Sequence, residues 1–479
     1  MYIRGVGGTG KSHVIKSINS LFEKLERKNE LLIGAPTGIA AILIGGYTIH
    51  ALTMLPSSNK PNFKELRKMW RYVRYLIIDE VSMISAILMS EISDRLRQAK
   101  GEDTRVSNQL FGGVNIIFTG DFGQLKPVLQ AALYKHSLVQ HPGFEEVRNP
   151  DRVSTLNGAF LWRQVNKVVI LKQNRCQKND RGYSQLLDRI RVGRSYQTMM
   201  RKTDADVDIL RDRQLSHIAQ TKPDDLLNFA DAPVIVGTRK IRDAINAHMI
   251  TQHANKERSI VNLYYLKDFV SKQHTRGEVR NQLWKLSSSM TDNVMGRLPL
   301  FIGMKVMVTC NLAISKRVVN GSEGIVKEIK YDTDEDGYRY ASVVYILLPG
   351  TGKLAPDLDD NVIPIFPERH SFRIRISSSD QMAYRYVSRL QIPLVPAYAY
   401  TDYKSQGHSL EYAIVDLASA RSLQGVYVML SRVRSIQGLG ILRWFPAHKI
   451  HQRPAEDLQN KLLRLEHLDG LTTQWYHSR

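Results

Sequence analysis

Three stretches near the start of the chain combine residue types suited to binding and splitting a phosphoanhydride. Gly5-Val6-Gly7-Gly8-Thr9-Gly10-Lys11-Ser12 fits G-x-x-x-x-G-K-[ST] at every fixed position. Glycines let the backbone fold tightly enough to aim its N–H groups at phosphate oxygens, and a helix starting near Lys11 adds the positive end of its dipole. On this reading Gly5, Gly7, Gly8, Thr9 and Gly10 cradle ATP, Lys11 holds its β- and γ-phosphates, and Ser12 ligates Mg²⁺. Gly350-Thr351-Gly352-Lys353 looks similar but lacks the spacing, because Leu347 stands where the first glycine belongs and Leu354 follows the lysine. It reads as a turn.

The second stretch, Tyr75-Leu76-Ile77-Ile78-Asp79-Glu80, is an apolar run of buried-strand type ending in two acids. At the carboxyl end of a strand in an open α/β sheet the acids face the ligand. Asp79 then joins the Mg²⁺ shell, and Glu80 orients and deprotonates the attacking water. A strand ending in acids at a helix start is the bland alternative. The third, Val114 to Thr119, leads into Gly120-Asp121-Phe122-Gly123-Gln124-Leu125 and places Gln124 at the same sheet edge. There its neutral amide can sense a γ-phosphate or water; alone, it would read as surface decoration.

Other residues suit a polyanion. Ala35-Pro36-Thr37-Gly38 follows the apolar run Leu31 to Gly34 and precedes a helix-like stretch. The loop's amides and the Thr37 hydroxyl can grip a nucleic-acid phosphate, or the loop is a plain helix start. Lys404, Ser405 and Gln406 lie between Tyr398-Ala399-Tyr400 and the strand-like Tyr412 to Val415. Rings beside cationic and amide groups fit a single strand whose bases stack while its phosphates pair with lysine; tyrosines in an alternating run also fit a core. Both readings stand. The net charge, 67 − 46 = +21, points the same way.

Besides the phosphate loop and Asp79-Glu80-Val81-Ser82-Met83, the chain holds Ala35 to Ala41, Thr48-Ile49-His50, Gly120 to Leu125, Val319-Asn320-Gly321, Tyr403-Lys404-Ser405-Gln406-Gly407 and Tyr427-Val428-Met429-Leu430-Ser431-Arg432. In this order they resemble the superfamily-one DNA helicases of the Pif type, including the helicase parts of Helitron-like transposons. The resemblance implies an ATP-dependent helicase that travels 5′ to 3′ on single-stranded DNA and opens forked duplexes as a monomer, in repair, recombination, telomere maintenance or transposition. It implies ATP contacts from Gly407, DNA contacts from Pro36, Thr37, Gly38, His50, Tyr400, Lys404, Ser405 and Gln406, and a γ-phosphate contact from Arg432. The family's second arginine, in an Asn-x-Arg pattern, meets Asn174-Arg175-Cys176 here, so Cys176 holds its place and Arg175 stands one residue early. Arg175 is either that second arginine after a local shift or a surface charge. The nucleus is the implied compartment, with the mitochondrion open and no targeting signal seen.

The elements that must position these residues follow from pattern. At 479 residues the chain exceeds one hydrophobic core, and 43 % apolar with 24 % charged residues exclude a largely disordered protein. Strands alternating with helices up to about residue 165 predict a parallel sheet, the first RecA-like lobe (1–165) of an α/β fold. Pro233 to Val236 and Tyr412 to Asp416 read as strands of a second RecA-like lobe (166–250 and 388–479). Between them, Lys305 to Val308, Gly324 to Val326 and Tyr340 to Tyr345 are short β-like runs in an inserted region (251–387). A small barrel is expected there, SH3-like by the resemblance. Residues 194 to 230 are polar and helix-like.

The tail from Pro454 to Leu471 carries leucines at 458, 462, 465 and 468, a spacing that predicts a helix packed on a core. Ala35 to Pro56 has the length of a membrane span, but Pro36, Gly38, Gly45 and Gly46 break it into strand, turn and helix. Two cysteines, Cys176 and Cys310, make neither a zinc cluster nor a disulfide framework. Only Met1 to Arg4 precede the phosphate loop, so the first strand is expected to be a stub, without the upstream glutamine segment that holds adenine in such helicases. That feature supports a rival reading, a nucleic-acid-binding helicase remnant without ATP turnover.

Overall fold

A computed structural model describes residues 1–55, 62–101, 108–135, 150–174, 180–193, 205–291, 294–378 and 381–478, with the side chains of 375–384 outside that description. The chain divides into two units, Met1–Ala230 with Ser405–Arg479, and Asp231–Lys404.

The first unit opens with β1 (Tyr2–Gly5), α1 (Lys11–Lys24), β2 (Leu31–Ala35), α2 (Gly38–Leu43), β3 (Tyr47–Thr48), α3 (Ile49–Thr53), α4 (Phe63–Trp70), β4 (Tyr75–Ile78), α5 (Ala86–Ala99), β5 (Asn115–Gly120), α6 (Pro150–Arg163) and β6 (Val168–Leu171). Its six strands form one parallel sheet in the order β3-β2-β4-β5-β1-β6. The expected stub β1 lies inside that sheet, its four residues buried and paired on both sides. The sheet runs past residue 165 because β6 pairs with β1 from Tyr2 to Gly5. Three helix starts between the strands are closed by hydroxyls: Thr37, Thr48 and Ser85 accept from the backbone N–H three residues on. Ala35 to Leu55 is the end of β2 followed by α2, β3 and α3, and no helix among the described residues is long and apolar enough to cross a membrane. Beyond the sheet, α7 (Arg181–Arg191), α8 (Ala205–Arg211) and α9 (Leu215–Thr221) account for the described part of the helix-like block; 194–204 lie outside the described residues.

The second unit holds β7 (Val234–Val236), α10 (Arg239–Lys256), β8 (Asn262–Tyr265), β9 (Lys267–Val270), β10 (Gln273–His274), α11 (Gly277–Trp284), β11 (Arg297–Leu300), β12 (Lys305–Val308), β13 (Glu323–Thr333), β14 (Arg339–Leu347), β15 (Val362–Ile365), β16 (Glu368–Ser378), β17 (Gln381–Gln391), β18 (Leu394–Pro396) and β19 (Ala399–Thr401). The expected β-like runs become β12, β13 and β14, central strands of an antiparallel sheet ordered β15-β14-β13-β12-β18. Its alternating inward residues, among them Val306, Val326, Val344 and Ile346, are fully buried in one core. A second antiparallel sheet, β10-β9-β17-β16, is not foreseen by the residue pattern. β19 pairs in parallel with β7. Gly350 and Gly352 carry φ of 86° and 68°, so Gly350 to Lys353 is a turn-rich loop rather than a phosphate loop.

After the short helix α12 (Asp402–Ser405), the chain returns to the first unit with β20 (Ala413–Val415), α13 (Leu423–Leu430), β21 (Leu439–Ile441) and α14 (Glu456–His477). β20 and β21 pair in parallel. Leu458, Leu462 and Leu465 of α14 join the core built around Tyr2, Phe118, Phe122 and Trp162, and Leu468 packs at its border. Trp162 meets Tyr2, Phe118 and Phe122 edge-on, with centroids 5.2 to 5.4 Å apart. α14 also serves the edge strand: Thr472 accepts from the Val168 N–H (3.0 Å) and Asp469 from that of Ile170 (2.8 Å).

Candidate active site

The Gly5–Gly10 loop joins β1 to α1 through Gly8 and Gly10, with φ of 87° and 88°, a left-handed backbone that favours glycine. Gly10 is the N-cap of α1 and brings no side chain to close the helix start, in contrast to α2, α3 and α5. A Cβ on Gly5 would meet the Thr9 hydroxyl at 2.1 Å, and that hydroxyl donates to the Val6 carbonyl (2.9 Å). The Lys11 ammonium donates to the carbonyls of Gly5 (2.8 Å) and Val6 (3.3 Å), which curls it over the loop it would share with a phosphate. Ser12 is exposed in the first turn of α1.

Asp79 and Glu80 follow β4 at the carboxyl edge of the sheet. The Asp79 carboxylate accepts from the Thr119 hydroxyl on β5. Glu80 has φ 51° and sits against the end of β5, where a Cβ on Gly120 would lie 3.0 Å from the Val81 nitrogen and 3.5 Å from the Glu80 Cα. Glu80 is buried, and its carboxylate accepts from the Gln406 amide (3.0 Å). Burial first, then the neighbouring Asp79, push its pKa up; Lys11, the Gln406 hydrogen bond and Arg432 oppose the rise. A base held above the ordinary carboxylate range matches water activation better than an exposed glutamate does.

Gln124 is 3 % exposed, and its side-chain oxygen has no hydrogen-bond partner among the described residues; the same holds for Gln406. Buried acceptors left open are uncommon in native proteins, and a water or a bound ligand can supply the missing donor. Arg432 is also buried, at 5 % exposure. Its guanidinium donates to the carbonyls of Val428 (2.8 Å), His408 (3.0 Å) and Ser405 (3.3 Å) and to the Ser431 hydroxyl (2.7 Å). Burial lowers its pKa, with Glu80 among the groups that oppose the shift. Gly407, with φ 90°, makes the turn that follows Gln406.

The structure thus gathers the phosphate loop, Asp79, Glu80, Gln406 and Arg432 in one unit, and Arg175 lies outside the described residues. Several contributors were not foreseen. Tyr427 accepts from the Gly7 N–H (3.4 Å), and Asn174 donates to the Gly7 carbonyl (3.2 Å). Asp121, fully buried, forms a two-point ion pair with Arg191 of α7 and accepts from the Gly123 N–H. Burial alone would raise the Asp121 carboxyl, but Arg191 holds it below the ordinary value. This pair fixes the Gly120 to Gln124 turn: a Cβ on Gly123 would meet the Arg191 side chain at 2.6 Å.

The DNA candidates fare unevenly. Thr37 spends its hydroxyl as acceptor for the Ala40 N–H (3.3 Å), with Pro36 half-buried and Gly38 buried, so the loop is built as a helix start. His50 is half-buried in the first turn of α3, and burial lowers its pKa. In the second unit Tyr400 is 4 % exposed with its hydroxyl turned toward Glu323, burial that favours the core reading of the two. Tyr398 is likewise buried, stacked on His253 at 4.4 Å. Lys404 is half-buried and donates to the Asn320 side chain. Its pKa falls to about 8, first from burial and then from the nearby charges of Arg242 and Arg239. That concentration of cations suits an anionic ligand. Ser405 and Gln406 are buried in the first unit.

The family model for PIF1-like helicases matches residues 1–201. The ATP-dependent DNA helicase PIF1 of Rattus norvegicus is 27 % identical over 456 residues, covering 93 % of this chain and 59 % of its own length. The human PIF1 helicase gives the same identity with 58 % of its length covered, and the RRM3 helicase of Saccharomyces cerevisiae is 25 % identical over 97 % of this chain. The chain therefore spans somewhat under three fifths of the first two relatives. Among solved structures, a Bacteroides Pif1 helicase in complex with ADP-AlF3 and ssDNA superimposes with a TM-score of 0.67 at 22 % identity, covering 97 % of this chain and 93 % of that one. The Pif1 helicase of Candida albicans gives 0.65 at 24 %, covering 98 % and 95 %. These likenesses establish a shared α/β fold with a parallel RecA-like sheet. The family model covers the residues that build the phosphate loop and its acids, so the similarity to PIF1-like helicases is carried by that first part of the chain.

Proposed function

We propose that the chain is an ATP-driven DNA helicase that moves along single-stranded DNA and opens forked duplexes. The observation that carries this reading is the meeting of Glu80 with Gln406 and Arg432, residues over three hundred positions further along the chain, beside a phosphate loop. A motor needs such a link between the site of hydrolysis and the segment after Lys404, which is the candidate DNA grip.

In the proposed reaction the loop amides and Lys11 bind the β- and γ-phosphates, and Glu80 takes the proton of the attacking water. Gln124 and Gln406 offer their side chains to water and phosphate. Arg432, with Arg175 as the proposed second arginine, balances charge on the phosphoryl group. The Ser12 hydroxyl and the Asp79 carboxylate are hard oxygen donors of the kind Mg²⁺ takes, and the ion would neutralise charge on the phosphates. Pro36, Thr37, Gly38, His50, Lys404 and Ser405 remain the proposed DNA contacts.

The lobe assignment belongs to the same proposal: a first RecA-like lobe to about residue 165, a second from 166–250 and 388–479, and 251–387 inserted. The parallel pairs β7 with β19 and β20 with β21 are strands of the kind a second lobe requires, and the sheet β15-β14-β13-β12-β18 is the proposed SH3-like part. The names of its relatives, ATP-dependent DNA helicases, support a role in DNA metabolism, with repair, recombination, telomere maintenance or transposition in the nucleus, or work on mitochondrial DNA, as the proposed settings.

The deciding measurement is ATP hydrolysis with and without single-stranded DNA. Stimulation by DNA, lost in Lys11→Ala while strand binding persists, is the expected result. DNA binding without any turnover would leave a nucleic-acid-binding scaffold.

A further inference from the structure

The sheet β10-β9-β17-β16 of the second unit has one face in the core and one in solvent. On the inner face Phe372, Ile374 and Val387 are buried, and Asp268 forms a fully buried two-point ion pair with Arg389 (2.7 and 2.9 Å). The alternate residues face out. Arg369, Ser371 and Arg373 of β16 are exposed, and the register sets Ser371 opposite Ser388 and Arg373 opposite Tyr386. Ser388 in turn pairs with Phe269 of β9. Strand alternation sends the carboxylates of β9 and β16, Asp268 and Glu368, to the other face.

Cations and rings are interleaved on this outer face. The Arg369 guanidinium lies 4.8 Å from the Phe269 ring centre and donates to the Ser388 hydroxyl (3.3 Å), and that of Arg373 lies 5.9 Å from the Tyr386 ring. Tyr386 is 72 % exposed, a large uncovered area for an aromatic side chain. Between the strands is a shallow depression of about 370 Å³ lined by Phe269, Lys272, Arg369, Ser371, Tyr386 and Ser388.

We propose that this face is a platform for single-stranded nucleic acid, with a base on Tyr386 and phosphates on Arg369, Arg373 and Lys272. Charge complementarity to a polyanion follows from cations with no carboxylate among the described outward side chains of these paired segments. The exposed ring decides for a single strand, because an unpaired base offers a face to stack on whereas a duplex hides its faces. The platform rests on the reading of the chain as a nucleic-acid motor, but not on the ATP site or on Lys404.

The test uses the full chain and a fluorescent oligothymidylate, with anisotropy followed across a salt series. The double variant Arg369→Ala with Arg373→Ala should flatten the log–log salt slope by about 1.4, from roughly 0.7 for each single-strand phosphate that is no longer neutralised. Tyr386→Ala should weaken binding between about fivefold and a hundredfold, and Tyr386→Phe, which keeps the ring, should restore it. Hydrolysis of ATP without DNA should be unchanged in all three. Unaltered affinity and slope in the alanine variants, beside a loss in Lys404→Ala, would overturn the platform and leave the motor reading standing. A loss confined to duplex probes would overturn it too, and failure of the unaltered chain to bind the oligonucleotide would remove both.

Discussion

Glu80 shows how surroundings could fit one carboxylate to the task proposed for it. Its neighbour Asp79 is fixed by a strand end, but the rise in its own pKa comes from burial at the turn after β4, with Gln406 arriving from far along the chain. Glu80→Gln should still bind ATP and fail to turn it over, since the amide keeps the shape but takes no proton; normal steady-state hydrolysis would remove Glu80 from the mechanism. Arg432 holds three backbone carbonyls while lying within electrostatic reach of Glu80. If Arg432 acts as the proposed arginine finger, Arg432→Ala should cut DNA-stimulated turnover by about a thousandfold, with little change in DNA affinity. Lys404 gives a pH test. Its folded pKa of about 8 lies below the ordinary 10.5, so the fold disfavours its charged form. Stability should therefore rise with pH across that interval while the charge available to a phosphate is lost. DNA affinity should fall as pH passes about 8, and Lys404→Arg should flatten the profile; an unchanged profile would take Lys404 out of the grip. The phosphate loop and the acid pair were legible because their chemistry is set by adjacent residues. The Asp121–Arg191 pair, 70 residues apart, and the Gly7–Tyr427 contact, 420 apart, were not, because no local pattern encodes a long-range partner.

At the level of elements, period carried most of the information. The apolar runs that became β2, β4 and β5 and the leucines of α14 each repeat with the spacing of their own secondary structure, and they emerged as read. The hairpin of β16 and β17 escaped notice because its outward positions are arginine, serine and tyrosine, which alternate with apolar residues without announcing a strand by composition. The pairing of β6 with β1 was missed for a different reason: a four-residue strand belongs to whichever sheet edge it meets, and α14 holds it there through Asp469 and Thr472. α14 thereby closes the core on one side of the parallel sheet. Leu465, fully buried within that core, tests the arrangement. Leu465→Ala should destabilise the protein by about 2–5 kcal/mol, the usual cost of a buried leucine truncation, read as a lower midpoint in urea unfolding. A change below half a kcal/mol, roughly what an exposed site gives, would show that α14 is not part of the core.

For the whole molecule the question is what hydrolysis accomplishes. On the proposed reading, the net charge of +21 and the cations near Lys404 would hold a strand by its phosphates, which every position along the strand repeats, so the contacts could be released and remade one step on. In the proposed cycle ATP binding and product release would alternate which contacts hold, through Glu80, which lies within electrostatic reach of Lys11 and accepts a hydrogen bond from Gln406. Such a cycle has a direction, because a single strand is chemically polar and a site built from L-residues grips it in one orientation. Residue types do not disclose that direction; the Pif-type resemblance implies 5′ to 3′. A motor travelling that way meets a duplex only if it loads on a 5′ tail. Forked or tailed duplexes bearing a 5′ single strand should therefore be unwound in an ATP-dependent way, and duplexes with only a 3′ tail should remain intact even though both tails bind. Lys11→Ala should bind both and unwind neither. Unwinding confined to 3′-tailed duplexes would reverse the assigned direction while leaving the hydrolytic site as described.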